Sequence, residues 1–140
     1  MKQRIVYAVD TKVSVSQTKQ EIESTLARFG ASSFAFASQT AGATVMFECE
    51  GRRVRFDMPL PKESSDAKTA RSHREKWRAL FLSIKAKLVS VATGIETFEE
   101  AFLAHVVLAD GSTVSQMTRP AIEQQYKTGK MTPLLGGPAA

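Results

Sequence analysis

Apolar positions recur along this chain with two different periods, and the changes from one to the other mark out its elements. In "SQTKQEIESTLARFG" Ile22, Leu26 and Phe29 fall at i, i+4 and i+7, the spacing of one helical face. Thr18, three residues before Glu21, reads as a capping box at its start, and Gly30 as its stop. The period then drops to two. Phe34 and Phe36 share one face of a predicted strand in "SSFAFAS". Val45, Phe47 and Cys49 alternate before Glu50-Gly51, and Val54, Phe56 and Met58 after it, which predicts two strands joined by a tight turn. Pro59 and Pro61 end the run, because proline cannot donate to a ladder. A three-stranded antiparallel meander is the simplest pairing. Its third strand turns Arg53, Arg55 and Asp57 outward, and the second turns out Thr44, Met46 and Glu48.

After the polar stretch "KESSDAKTARSHR", read as a loop running into a helix, the helical period returns. Trp77, Leu80, Phe81, Ile84, Leu88 and Val91 form one stripe, and such a stripe has to be covered, most economically by the apolar face of the sheet. Gly94 ends that helix. "TFEEAFLAHVV" predicts another, with Thr97 as N-cap, Glu100 closing a capping box, and Phe98 and Phe102 on the buried side. Asp110-Gly111 in "LADGSTV" marks a turn, read as a linker between helices rather than a join between two short strands. "RPAIEQQYKTG" predicts a last helix with Pro120 in its first turn and Gly129 beyond its end. The expected fold is therefore α+β. An α-β-β-β-α core packs a three-stranded antiparallel sheet on a long helix and adds two C-terminal helices, as a single domain over residues 1–132 with a tail over 133–140. In that tail Leu134 and Leu135 are expected to dock on the body or on a partner.

Composition fits a folded chain, with 43% hydrophobic and 24% charged residues, since disordered chains are poorer in large apolar side chains. No apolar run approaches the roughly 20 residues that span a bilayer, and "MKQRIVYAVDTK" lacks the marks of a signal peptide. No membrane partner and a cytosolic location are expected. The lone Cys49 excludes an internal disulfide and a cysteine-based zinc cluster. Its place in a strand alternation makes it a buried structural thiol rather than a nucleophile.

Nineteen Lys and Arg against fourteen Asp and Glu leave +5, a bias towards polyanions. Its distribution matters more. On a helical wheel Arg71, Arg74, Arg78 and Lys85 share a sector of roughly 60° on one flank of the long helix, with Lys76 and Lys87 across the apolar stripe. Two readings stand. Such a row suits phosphates, because cations displace the counterions condensed on a polyanion; equally, aliphatic stems of Lys and Arg cover the rim of a core. Arg53 and Arg55, beside Arg52, form a second basic spot on the other face of the sheet, either a contact or a guard for an edge strand. Stacking platforms for single strands need exposed rings. Trp77, Phe34, Phe36, Phe47 and Phe56 fit core positions, which leaves Tyr7 and Tyr126 as the freer rings.

Catalytic machinery is not evident. His73 and His105 lack a second ligand at metal spacing, and Glu96, Glu99 and Glu100 gather at a helix start, where carboxylates favour the dipole. No phosphate-binding glycine loop or nucleophile elbow occurs, and neither metal nor cofactor is expected.

Taken together, "SQTKQEIESTLARFGASSFAFA", "GRRVRFDMPLP", "REKWRALFLSIKAKLVSVATGIETFEEAFLAHVVLADGSTV" and "YKTGKMTPLL" resemble a family of small proteins encoded in tailed bacteriophages and prophages. The resemblance covers most of the chain from about Val13 onward. It implies a phage origin and expression in the host bacterial cytoplasm, and brings no catalytic residue or activity with it. Separately, the order helix, three strands, helix is similar to the double-stranded RNA-binding domain, in which the start of the second helix contacts phosphates. Arg71, Arg74 and Lys76 stand near that position, although the extra C-terminal helices depart from the family's compact plan.

The leading expectation is a non-enzymatic phage protein that binds nucleic acid, DNA before RNA and with little sequence preference, in replication, recombination or host takeover. Its contacts would be Arg71, Arg74, Arg78 and Lys85, with Arg53 and Arg55 as a second set. The rival is an inhibitor that docks on a bacterial host or defence protein, through Leu134 and Leu135 of the tail or through the basic face on an acidic partner. A third reading is a protein that sequesters an anionic nucleotide signal in a pocket built by a homo-oligomer.

Overall fold

The computed structural model describes Ala8 and residues 11–135; Tyr7 lies outside the described residues. The first helix, α1, is Val15–Arg28, and its N-cap is Ser14 rather than Thr18. Ser14 is extended (φ −65°, ψ 154°) and its Oγ accepts the Gln17 N–H at 3.1 Å. Starting a turn earlier buries Thr18 inside the helix and leaves Glu21 to pair elsewhere. Gly30 ends α1 with φ +90°, a left-handed conformation that suits glycine. Phe29, expected on the buried stripe, is instead the C-cap (φ −89°, ψ 6°) and is swung out to 39% exposure.

The strands β1 (Ser33–Gln39), β2 (Gly42–Cys49) and β3 (Arg52–Pro59) form the expected antiparallel meander in that order. Between β2 and β3, Glu50 and Gly51 both take positive φ, 53° and 72°, as a two-residue hairpin turn with the twist of its strands requires. The register stacks Phe34, Phe47 and Val54 in one row and Phe36, Val45 and Phe56 in the next. One face of the sheet is thus apolar, and it is covered by Ile22 and Leu26 of α1 and by Trp77, Leu80, Phe81, Ile84 and Leu88 of α2, Ala67–Ala92. The opening of α2 is set by Asp66, whose Oδ1 accepts the Lys68 N–H at 2.8 Å. Each fully buried large side chain here contributes roughly 1.5–3 kcal/mol by leaving water, so the stripe read from the sequence is what holds the two layers together.

The C-terminal third differs in detail from expectation. The helix α3, Phe98–Phe102, has the Thr97–Glu100 capping box but lasts five residues, followed by a turn of 3-10 helix over Leu103–His105. It stops there because the edge of β3 claims the next residues. Val106 bridges Val54, and the Val107 N–H donates to the Arg53 carbonyl at 2.8 Å. Phe102 is fully buried and meets Phe47 and Phe56 edge-on at 5.7 and 6.3 Å. The Asp110-Gly111 turn joins Val107 and Thr113 as a short β-bridge rather than a plain linker. The last helix, α4 (Val114–Thr128), starts at the Thr113 N-cap with Gln116 closing a capping box. Pro120 therefore lies in its second turn, where it deprives the helix of one backbone donor. No residue of α4 is buried. The chain after Gly129 folds back on α4, the Gln125 side chain donating to the Thr132 carbonyl at 3.0 Å.

Candidate nucleic-acid interface

The four flank cations of α2 meet different surroundings, because α1 packs beside them. Arg78 is ion-paired with Glu21 and lies 4.6 Å over the Phe81 ring, so it braces the two helices. Its hydrogen bond is the main reason that the Glu21 carboxyl is held below the usual carboxylate value, against the opposing effect of burial. Arg71 bonds Glu75 one turn on at 3.2 Å. Lys85 is exposed, with Nζ 5.9 Å from the Phe81 centroid. Arg74 is half-buried and makes no ion pair among the described residues.

The second basic spot points to the opposite face of the sheet, as the alternation requires, and it is mostly occupied. Arg55 donates to the Gly111 carbonyl at 2.7 Å, to Gln116 Oε1 at 2.9 Å and to Asp57 at 3.1 Å. Having tied β3 to the start of α4, it has little left for a ligand. Arg53 stays exposed and faces Glu48 in the strand register, while Arg52 bonds Glu99 at 2.5 Å. Leu134 and Leu135 are 43% and 55% exposed.

A cleft that the sequence did not reveal joins three distant stretches. The first turns of α1 (Ser14, Lys19), the end of β1 and the turn after it (Ser38, Thr40) and the N-terminal third of α2 (Thr69, Arg74) line a cleft of about 340 Å³, with Trp77 and Leu60 also in its wall. Lys19 Nζ lies 4.9 Å from the Trp77 centroid and 5.9 Å from that of Phe36. The rings hold the ammonium by their negative faces, and no described carboxylate neutralises it. Two cations that no described carboxylate pairs with, Lys19 and Arg74, thus meet several hydroxyls near the N-terminal parts of two helices. Glu63 is the acid of this cleft, at its rim with an 89% exposed side chain, 3.6 Å from His73 Nδ1. His73 Nε2 is 2.8 Å from the Pro61 carbonyl oxygen. The legible signal was Lys19 at i−3 from the buried Ile22, on the shoulder of the helix stripe; its distance from Arg74 in sequence hid the rest.

The remaining reactive groups serve the core. His105 stacks on Phe56 with centroids 4.0 Å apart, and burial, then the Lys87 charge, lowers its pKa. The Cys49 thiol is buried and its pKa is raised, first by burial and then by the Glu50 carboxylate. Among the described residues no group of three His, Cys, Asp or Glu could hold a metal ion, and no helix is long and apolar enough to cross a membrane. Trp77, Phe47 and Phe56 are buried and Phe34 and Phe36 half-buried, whereas Tyr126 is 88% exposed on α4. Compared with protein-family models, curated proteins and solved structures, the chain matches none.

Proposed function

We propose that this is a non-enzymatic phage protein that binds the phosphate backbone of double-stranded nucleic acid, with little sequence preference, at the cleft holding Lys19 and Arg74. The observation that carries the reading is the meeting of the α1 start, the β1–β2 turn and the N-terminal third of α2 around two cations that have no carboxylate partner among the described residues. Backbone phosphates are matched by Arg and Lys with hydroxyl donors, and such contacts position a protein without reading bases. The α-β-β-β-α order around that end is the plan on which double-stranded RNA-binding domains use the second helix for phosphates. Burial of Trp77, Phe47 and Phe56 favours a duplex over a single strand, which needs rings to stack on. Arg71 and Lys85 extend the positive flank of α2, and Arg78 supports it from within.

The direct test is fluorescence anisotropy with labelled duplex DNA, duplex RNA and single-stranded DNA at low and physiological salt. Salt-sensitive duplex binding that disappears in the Lys19→Glu, Arg74→Glu double variant is expected. Absence of binding to all three at low salt would overturn the proposal. A second reading, capture of a small anionic nucleotide, rests on the cleft volume of about 340 Å³, within the range of small-ligand sites. It is separated by a thermal shift with free nucleotides that duplexes do not reproduce.

A further inference from the structure

The two edges of the sheet are treated differently. At β3 the outward groups are engaged: Val106 bridges Val54, the Val107 N–H bonds the Arg53 carbonyl, and Arg53, Arg55 and Asp57 add charge. At β1 nothing comparable exists among the described residues. Its sequence, SFAFASQ, has no charge and no proline over seven residues, the two devices by which edge strands are most simply kept from pairing.

The hydrogen-bond phase shows which groups β1 offers. The Leu60 N–H donates to the Ala41 carbonyl, and the Glu48 carbonyl accepts the Ser32 N–H. Antiparallel alternation then aims Ala43, Val45 and Phe47 at β3, and Thr44, Met46 and Glu48 at β1. Ser33, Ala35, Ala37 and Gln39 of β1 therefore face β2, and Phe34, Phe36 and Ser38 turn their N–H and C=O groups outward. Among the described residues nothing outside the sheet bonds these groups.

We propose that β1 pairs antiparallel with β1 of a second copy, joining two sheets into one of six strands. The edge is self-complementary about Phe36, the middle of the three outward residues. A two-fold axis there sets Phe36 against Phe36, and Phe34 against Ser38, of the second copy, and supplies about six backbone hydrogen bonds. On the open face of the sheet Ala35 falls opposite Ala37, so no side chain is too large and no like charges meet. The half-buried Phe34 and Phe36 gain cover at the same time. Because the axis reverses the strand, the two Lys19–Arg74 clefts come to opposite ends of the combined sheet.

Sedimentation equilibrium of the full chain, over a concentration series up to about 100 μM to cover weak pairing, reads this directly. Wild-type protein should pass from one to two chain masses with concentration. Ser38→Pro deletes an outward donor that β2 does not use and should weaken association at least tenfold with an unchanged circular-dichroism spectrum. The Ala35→Lys, Ala37→Lys pair, which sets lysines opposite one another across the dyad, should weaken it as much and stands in if the proline variant misfolds. A wild type that stays monomeric at the highest concentration overturns the proposal. So does a dimer that the folded variants leave at wild-type strength.

Discussion

Glutamine in place of Arg78 separates a brace from a binding residue within one row of cations. The Arg78 and Glu21 side chains are 22% and 33% exposed, so their pair lies between surface bridges, worth up to about 1 kcal/mol, and buried ones, whose disruption costs several. Allowing about 1 kcal/mol for the pair after solvent screening and about 0.5 for the cation over Phe81, Arg78→Gln should destabilise the fold by roughly 1–2 kcal/mol. In a chain of 140 residues that lowers Tm by about 3–7 °C. Thermal unfolding followed by circular dichroism measures it, and a cycle with Glu21→Gln should give a coupling energy of about 1 kcal/mol. The pH dependence has a definite sign. Because the Glu21 pKa is lowered in the fold from its ordinary 4.5, the stabilisation is complete above that value and is lost as pH falls through the folded one. That acid-side loss should shrink in Arg78→Gln. Duplex affinity of this variant should stay within about threefold of wild type, a shift well under 1 kcal/mol, whereas Arg74→Gln should keep Tm and lose affinity. An Arg78→Gln protein with unchanged Tm and abolished binding would refute this assignment of roles.

Three further outcomes follow from the packing. Phe102→Ala empties the space between Phe98, Phe47 and Phe56 and should cost about 3–5 kcal/mol, seen as a lower urea midpoint; a loss under about 1 kcal/mol would mean that α3 is not part of the core. Arg55→Ala removes the bonds to Gly111 and Gln116, so amide exchange should quicken in the first turns of α4 while β2 keeps its protection; uniform change across both would contradict the clasp. Gly42→Ala brings a Cβ to 2.7 Å from the Met58 carbonyl oxygen, a backbone clash expected to cost more than about 1 kcal/mol by thermal melt; an unchanged Tm would contradict it.

Elements built on one strong period were legible before any coordinates. The alternation of Val45, Phe47 and Cys49 and the stripe from Trp77 to Leu88 depend only on local geometry, and both place the residues where the fold buries them. Choices decided by contacts across the chain were not legible. Ser14 and Thr18 each precede a Gln or Glu by three residues, and Ser14 is the one that caps, while Glu21, the other half of the expected box, pairs with Arg78. The helix begun at Thr97 was overextended because no local pattern shows that Val106 and Val107 belong to the edge of β3. Pro120 suggested a helix start, yet the Thr113–Gln116 capping box fixes it earlier, and the helix continues through the proline at the loss of one backbone donor. The surroundings of the candidate cations were hidden for the same reason. Arg71, Arg74, Arg78 and Lys85 share a helix flank, but a wheel cannot see the carboxylate that removes Arg78 or the Lys19 that joins Arg74.

The salt dependence of duplex binding tests the central claim most directly. Each phosphate contact contributes about −0.9 to the slope of log Kobs against log salt, so replacing both Lys19 and Arg74 by Gln should make the wild-type slope shallower by about two such units in a protein that stays folded, its Tm lowered only by loss of the Lys19 contact with the Trp77 and Phe36 rings. An unaltered slope in a folded double variant would contradict the account and place the contacts elsewhere on the molecule.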